Sequence, residues 1–173
     1  MQEQTNIFED VSNPLDSVEE IIISNDWTFD RMDEDTLTVH VSGKYGHYKM
    51  AFNWQEHYSA LKFCCTPDLT VSPNKLEEAS KAVNKINSTL WLGHFDIPLS
   101  NTANAEAHTP CFRHTSLFRG MNYSSGASHM EDLIDIALSE CERYYMTFEL
   151  LSLHQQQGAN ALSLAMMDNI GEA

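Results

Sequence analysis

Three stretches of the chain alternate apolar and polar residues with a period of two. Leu37, Val39 and Val41 alternate with Thr38, His40 and Ser42; Tyr48, Met50, Phe52 and Trp54 alternate with His47, Lys49, Ala51 and Asn53; Leu61, Phe63 and Cys65 alternate with Ala60, Lys62 and Cys64. Side chains on a strand point to opposite faces in turn, so each run predicts a strand with one face buried. The links at Gly43 to Gly46 and at Gln55 to Tyr58 are short, which makes neighbouring strands antiparallel. An extended piece around Trp27 to Phe29 precedes them. Two further strands are expected at about Trp91 to Leu99 and Cys111 to Gly120, joined by a polar loop from Ser100 to Pro110.

Other stretches repeat at helical spacing. Asn13-Pro14-Leu15-Asp16 reads as a cap, a first-position proline and an acidic first turn, with Val18, Ile21 and Ile22 on one stripe and an end near Asn25. Ser72-Pro73 opens a second helix carrying Leu76, Ala79, Val83, Ile86 and Leu90. A third is expected from Ser128 past Leu150, with Met130, Leu133, Ile134, Ala137, Cys141, Tyr144, Tyr145, Phe148 and Leu151 on one face. After Gln155 to Gly158, a terminal helix would carry Leu162, Ala165, Met166 and Ile170. The expected fold is α+β: an antiparallel sheet of three strands then two, packed with helices, plus the C-terminal helix. Residues 1–12 read as an acidic tail and 13–173 as a single domain, with no internal repeat.

Composition narrows the function. Hydrophobic residues make up 42% of the 173, enough for a packed core, and the formal net charge is -15. That charge argues against nucleic acid and anionic membranes, whose binders carry basic faces. Its first meaning is solubility, and its second an acidic surface for a basic partner segment. Without a run of about 18 apolar residues, a spanning helix is not expected. The acidic, polar N-terminus is unlike a secretion signal. Four cysteines without a CxxC spacing read as reduced thiols, and the cytoplasm is the expected location.

Candidate chemistry is sparse. The spacings GxSxG, GxGxxG, HExxH and the phosphate-binding loop do not occur. A hairpin centred near Asn104 would set His94 opposite His114, with Asp96 and Cys111 near. That arrangement suits a metal only if three or four ligands converge; polar edge residues are the plainer reading, and no cofactor is expected. Cys64 and Cys111 read as small buried hydrophobes rather than nucleophiles. Carboxylates such as Glu77 and Glu131 sit where helix dipoles and solvent account for them. The aromatic residues near strand ends, Trp27, Trp54 and Trp91, belong to the core or to a groove for another protein. Leu150 and Leu153 fall off the third helix's main stripe. Trp54, Trp91, His94, Phe95, Leu150 and Leu153 are therefore the expected partner contacts.

Several of these segments together resemble one family. They are Asn13-Pro14-Leu15-Asp16-Ser17-Val18-Glu19-Glu20 followed by Trp27; Leu90-Trp91-Leu92-Gly93-His94-Phe95-Asp96; Phe112-Arg113-His114; and Glu131 to Ala137 with Cys141-Glu142-Arg143-Tyr144-Tyr145. They resemble the YbjN family, whose members are described as bacterial sensory transduction regulators. The resemblance implies a fold like that of type III secretion chaperones, which are homodimers of the same element order, and it brings no catalytic residues. The expectation is a homodimeric, chaperone-like, non-enzymatic module that binds a protein through apolar sheet area and helix stripes. A small-molecule or metal sensor using His94, Asp96 and His114 is the alternative.

Overall fold

The computed structural model describes residues 13–98 and 108–152. The expected tail at 1–12, the inner part of the polar loop, the terminal helix and Leu153 lie outside the described residues. Among those described, four helices pack on one face of a six-stranded, wholly antiparallel sheet.

Helix α1 (Leu15–Ser24) buries Leu15, Val18, Ile21 and Ile22. The Asn13 side-chain oxygen accepts a hydrogen bond from the Leu15 amide at 3.0 Å, as the expected cap. At the other end Asp26 turns to a φ of 56°, and the amides of Asp26 and Trp27 donate to the carbonyls of Ile23 and Ile22. These paired bonds satisfy two otherwise orphaned carbonyls and turn the chain out of the helix. It enters β1 (Thr28–Arg31), the edge strand. The Arg31 guanidinium reaches back to Asp16 at 3.1 Å and Glu19 at 2.6 Å, pinning α1 to the sheet.

Strands β2 (Thr36–Ser42), β3 (His47–Gln55) and β4 (Ala60–Pro67) follow the expected alternation. Val39 pairs with Met50 and Phe52 with Phe63, so their buried side chains share a face. A short 3-10 turn (Pro73–Lys75) leads from Ser72 into α2 (Leu76–Asn87). Strands β5 (His94–Asp96) and β6 (Cys111–Leu117) complete the sheet in the order β1-β2-β3-β4-β6-β5.

Helix α3 (Tyr123–Arg143) starts five residues before the expected Ser128, capped by Asn122, whose side-chain oxygen accepts from the Ser125 amide at 2.8 Å. It stops at Tyr144, and α4 (Tyr145–Ser152) continues separately, so the single long helix expected is two. Phe52, Phe63, Phe95, Phe112 and Phe148 form the centre of the core with Leu61, Met50 and Ile134. No helix among the described residues is long and apolar enough to cross a membrane.

Candidate functional site

The expected partner contacts separate once they are placed. Trp54 is only 4% exposed and packs edge-on against Phe118, with centroids 5.9 Å apart. Phe95 is buried among Phe112, Tyr144 and Phe148, at 5.6, 5.9 and 5.2 Å. These two rings fill the core, because each sits on the apolar phase of its strand. Trp91 is 77% exposed in the bend before β5, and His94 is exposed on β5. Leu150 is half-buried on α4.

The register of β5 and β6 is one residue away from the expected one. His94 faces Arg113, Phe95 faces Phe112, and Asp96 faces Cys111. His114 pairs with Phe63 of β4 and so lies on the helix-covered face, opposite to His94. Burial, with His129 and His94 nearby, pushes its imidazole pKa down. Among the described residues, no three His, Cys, Asp or Glu side chains gather as a metal site.

The sheet's apolar area is covered by helices, and the exposed large apolar side chains, such as Met32, Tyr58 and Leu117, are scattered. The expected leftover apolar sheet face is therefore not what the strands present. The uncovered face consists of the alternate residues: Thr28 and Asp30 on β1; Thr36, Thr38, His40 and Ser42 on β2; His47, Lys49, Ala51 and Asn53 on β3; Lys62, Cys64 and Thr66 on β4; Cys111, Arg113, Thr115 and Leu117 on β6; His94 and Asp96 on β5. Lys49, Lys62 and Arg113 are exposed there. Arg113 lies 3.6 Å from Asp96, while Lys49 and Lys62 have no ion pair among the described residues. In a chain of net charge -15 this face carries three cations, Lys49, Lys62 and Arg113, beside the carboxylates of Asp30, Asp96 and, at the groove end, Asp68.

Two features sit on this face. One is a groove of about 520 Å³ at the β2–β3–β4 end, bordered by His40, His47, Lys49, Thr66, Asp68 and Thr109. The other is a pair of thiols. The Cys111 sulfur lies 2.9 Å from that of Cys64 and donates a hydrogen bond to it. That bond, helped by the charges of Arg113 and Lys49, draws the Cys64 thiol down to about 7, while the Cys111 thiol is pushed up. Cys65 and Cys141 lie across the sheet in the core, with the Cys141 sulfur 3.8 Å from the Cys65 carbonyl. Sequence reading missed Lys49 and Lys62 as site residues, although both occupy polar phases of runs whose alternation is plain. Cys64 and Cys111 could not have been joined without the β4–β6 register.

Comparison with known proteins gives a consistent placement. The model of the YbjN family, described as "putative bacterial sensory transduction regulator", matches residues 14–150. Among solved structures, the chain is similar to the crystal structure of YbjN from E. coli, described as "a putative transcription regulator". The two superpose with a TM-score of 0.53 at 13% identity, covering 78% of this chain and 95% of the other. None of the curated proteins compared matches the chain.

Proposed function

Since the chain belongs to the YbjN family, we propose that it is a non-catalytic regulator that works in the bacterial cytoplasm by holding an acidic, extended segment of a partner protein on the open face of its sheet. One observation carries this reading. All four described helices lie on one side of the sheet, and the other side presents Lys49, Lys62 and Arg113 in an otherwise acidic molecule.

The physics favours an anionic segment over the basic one suggested by net charge alone. Attraction depends on local charge, and on this face Lys49 and Lys62 have no ion-pair partner among the described residues, whereas Arg113 already lies beside Asp96. Each exposed pair contributes little, roughly 0.2–1 kcal/mol, so three give modest, salt-sensitive affinity. Threonine, serine and asparagine side chains on the same face can hydrogen-bond the segment's backbone. A homodimer is part of the proposal.

A photo-crosslinking amino acid placed at Thr115, between Lys62 and the β5 edge, tests the reading in living cells. Thr115 is exposed and pairs with Lys62. The expected product is a crosslink to one protein through a segment rich in Asp and Glu. A crosslink only to basic segments, or to DNA, contradicts the reading.

The groove beside His40, His47 and Lys49 favours a second reading, a sensor for a small anion. Thermal unfolding with inorganic phosphate or a dicarboxylate at millimolar concentration separates the two. A rise in midpoint that His47→Ala and Lys49→Ala both abolish would support the sensor.

A further inference from the structure

We propose that Cys64 and Cys111 form an oxidant-responsive thiol pair, in which Cys64 reacts with a hydroperoxide and Cys111 converts the product into a disulfide joining β4 to β6. This does not depend on the binding proposal above.

The geometry comes from the register. Cys64 faces Arg113 across the β4–β6 pair, and Cys111 lies two residues from Arg113 on the same face. The two cysteines are thus diagonal neighbours, and their sulfurs approach to 2.9 Å. A disulfide needs about 2.05 Å, so the two sulfurs, already inside van der Waals contact, have under about 1 Å left to close. Access divides the roles. Cys64 is partly exposed and can meet a peroxide, whereas Cys111 is 1% exposed and meets only Cys64. Charge favours the same division, because Lys49 on β3 and Arg113 on β6 stabilise a thiolate at Cys64. Asp96 on β5, opposite Cys111, opposes this but is engaged by Arg113 at 3.6 Å. Cys65 and Cys141 are buried on the other face of the sheet, out of reach of both.

With hydrogen peroxide the steps balance. Cys64 loses its proton, and its thiolate sulfur attacks one peroxide oxygen. An S–O bond forms, the O–O bond breaks, and the departing hydroxide takes up a proton as water. The product is a sulfenic acid on Cys64. The Cys111 sulfur then attacks the Cys64 sulfur. The S–S bond forms, the S–O bond breaks, and hydroxide leaves as water with the Cys111 proton. Two thiols give up two electrons, and one peroxide becomes two waters. A dithiol reductant reverses the change by thiol–disulfide exchange.

Peptide mapping of the full chain tests this. The reduced protein is treated with equimolar hydrogen peroxide, blocked with N-ethylmaleimide and digested, and fragment spectra distinguish Cys64 from Cys65. The expected result is one disulfide, Cys64–Cys111, with Cys65 and Cys141 carrying the blocking group only after unfolding. Cys64→Ser should slow peroxide consumption about tenfold or more, while Cys111→Ser should leave a dimedone-trappable sulfenic acid on Cys64, each variant first checked for native circular dichroism. Three results in the natural sequence would overturn the proposal: four thiols still blockable, a Cys65–Cys141 bond, or Cys64 oxidised without a link to Cys111.

Discussion

At Gly93 the backbone takes a φ of 67°, and a side chain there would meet the Phe112 ring and come within 2.9 Å of the Arg113 carbonyl oxygen. Gly93 thus lets the chain swing from the α2 side of the sheet into β5 while Phe95 stays in the core. Left-handed backbone costs a non-glycine residue roughly 1–2 kcal/mol, and overpacking adds about 1–3. Gly93→Ala is therefore expected to lower stability by about 2 kcal/mol or more, read as a reduced urea midpoint with unchanged slope. An unchanged midpoint would mean that the turn is not under this constraint. The Cys64 thiol supplies a second test at this scale. Its pKa of about 7 lies below the ordinary thiol value, held there by Cys111, against the opposing effect of burial, with help from Arg113 on β6 and Lys49 on β3. The thiolate is the reactive form, so alkylation of Cys64 by iodoacetamide should rise with pH and reach half its plateau near pH 7. Half-reaction at pH 8.5 or above, the range of an unperturbed thiol, would count against the hydrogen bond from Cys111. The opposite faces of Cys64 and Cys65 were legible from strand alternation alone. Their partners were not, since Cys64 and Cys111 stand 47 residues apart and only the sheet order brings them together.

Among the elements, β2, β3 and β4 were the most legible, because one apolar and one polar phase leave a single register that buries the apolar face. The β5–β6 pair shows where that logic needs energies. Pairing His94 with His114 lines up two similar polar residues, but it would set Phe95 and Phe112 out of step. Burying two aromatic rings outweighs any gain from facing imidazoles, and the observed register pairs the rings. Phe95→Ala should cost about 3–5 kcal/mol, as a truncated core ring does; a loss below about 1 kcal/mol would show that β5 contributes little to the folded state. The 123–128 stretch, Tyr-Ser-Ser-Gly-Ala-Ser, has weak helix propensity, which hid the start of α3. Asn122 caps it, and Gly126 lies against Phe118, so packing overrides propensity. The end of α4 is held from elsewhere in the chain. Lys75, a residue only 8% exposed, donates through its ammonium to the Leu150 carbonyl at 2.8 Å; the Ser72 amide and hydroxyl donate to the carbonyls of Leu151 and Ser152 at 3.1 and 2.9 Å. A cation at a helix C-terminus is favourable, and more so when partly buried. Lys75→Met, which keeps the apolar stem, should lower stability by about 1–2 kcal/mol in chemical unfolding. No loss would mean water replaces the ammonium without cost.

For the whole molecule, the decisive property is the difference between the sheet's two faces. One is buried beneath helices; the other is polar, is covered by none of the described helices, and carries Lys49, Lys62 and Arg113 within a chain of net charge -15. The sequence shows the net charge at once, but not that Lys49, Lys62 and Arg113 share a face, because their proximity depends on strand order across β3, β4 and β6. It also led to the expectation of spare apolar sheet area, since alternation cannot say how fully the helices cover the inner face. Subunit assembly belongs to this scale too. A homodimer is expected, and light scattering on a chain ending at Gln157 should show weakened association if the terminal segment contributes; an unchanged dimer would clear that segment. The binding proposal itself is tested most directly by titrating the crosslinked partner segment, as a peptide, into the natural protein and into the Lys49→Glu/Lys62→Glu variant at low and high salt. The account predicts affinity at least about tenfold weaker for the variant at low salt, with the difference shrinking as salt rises. Equal affinity for both proteins at low salt would contradict it.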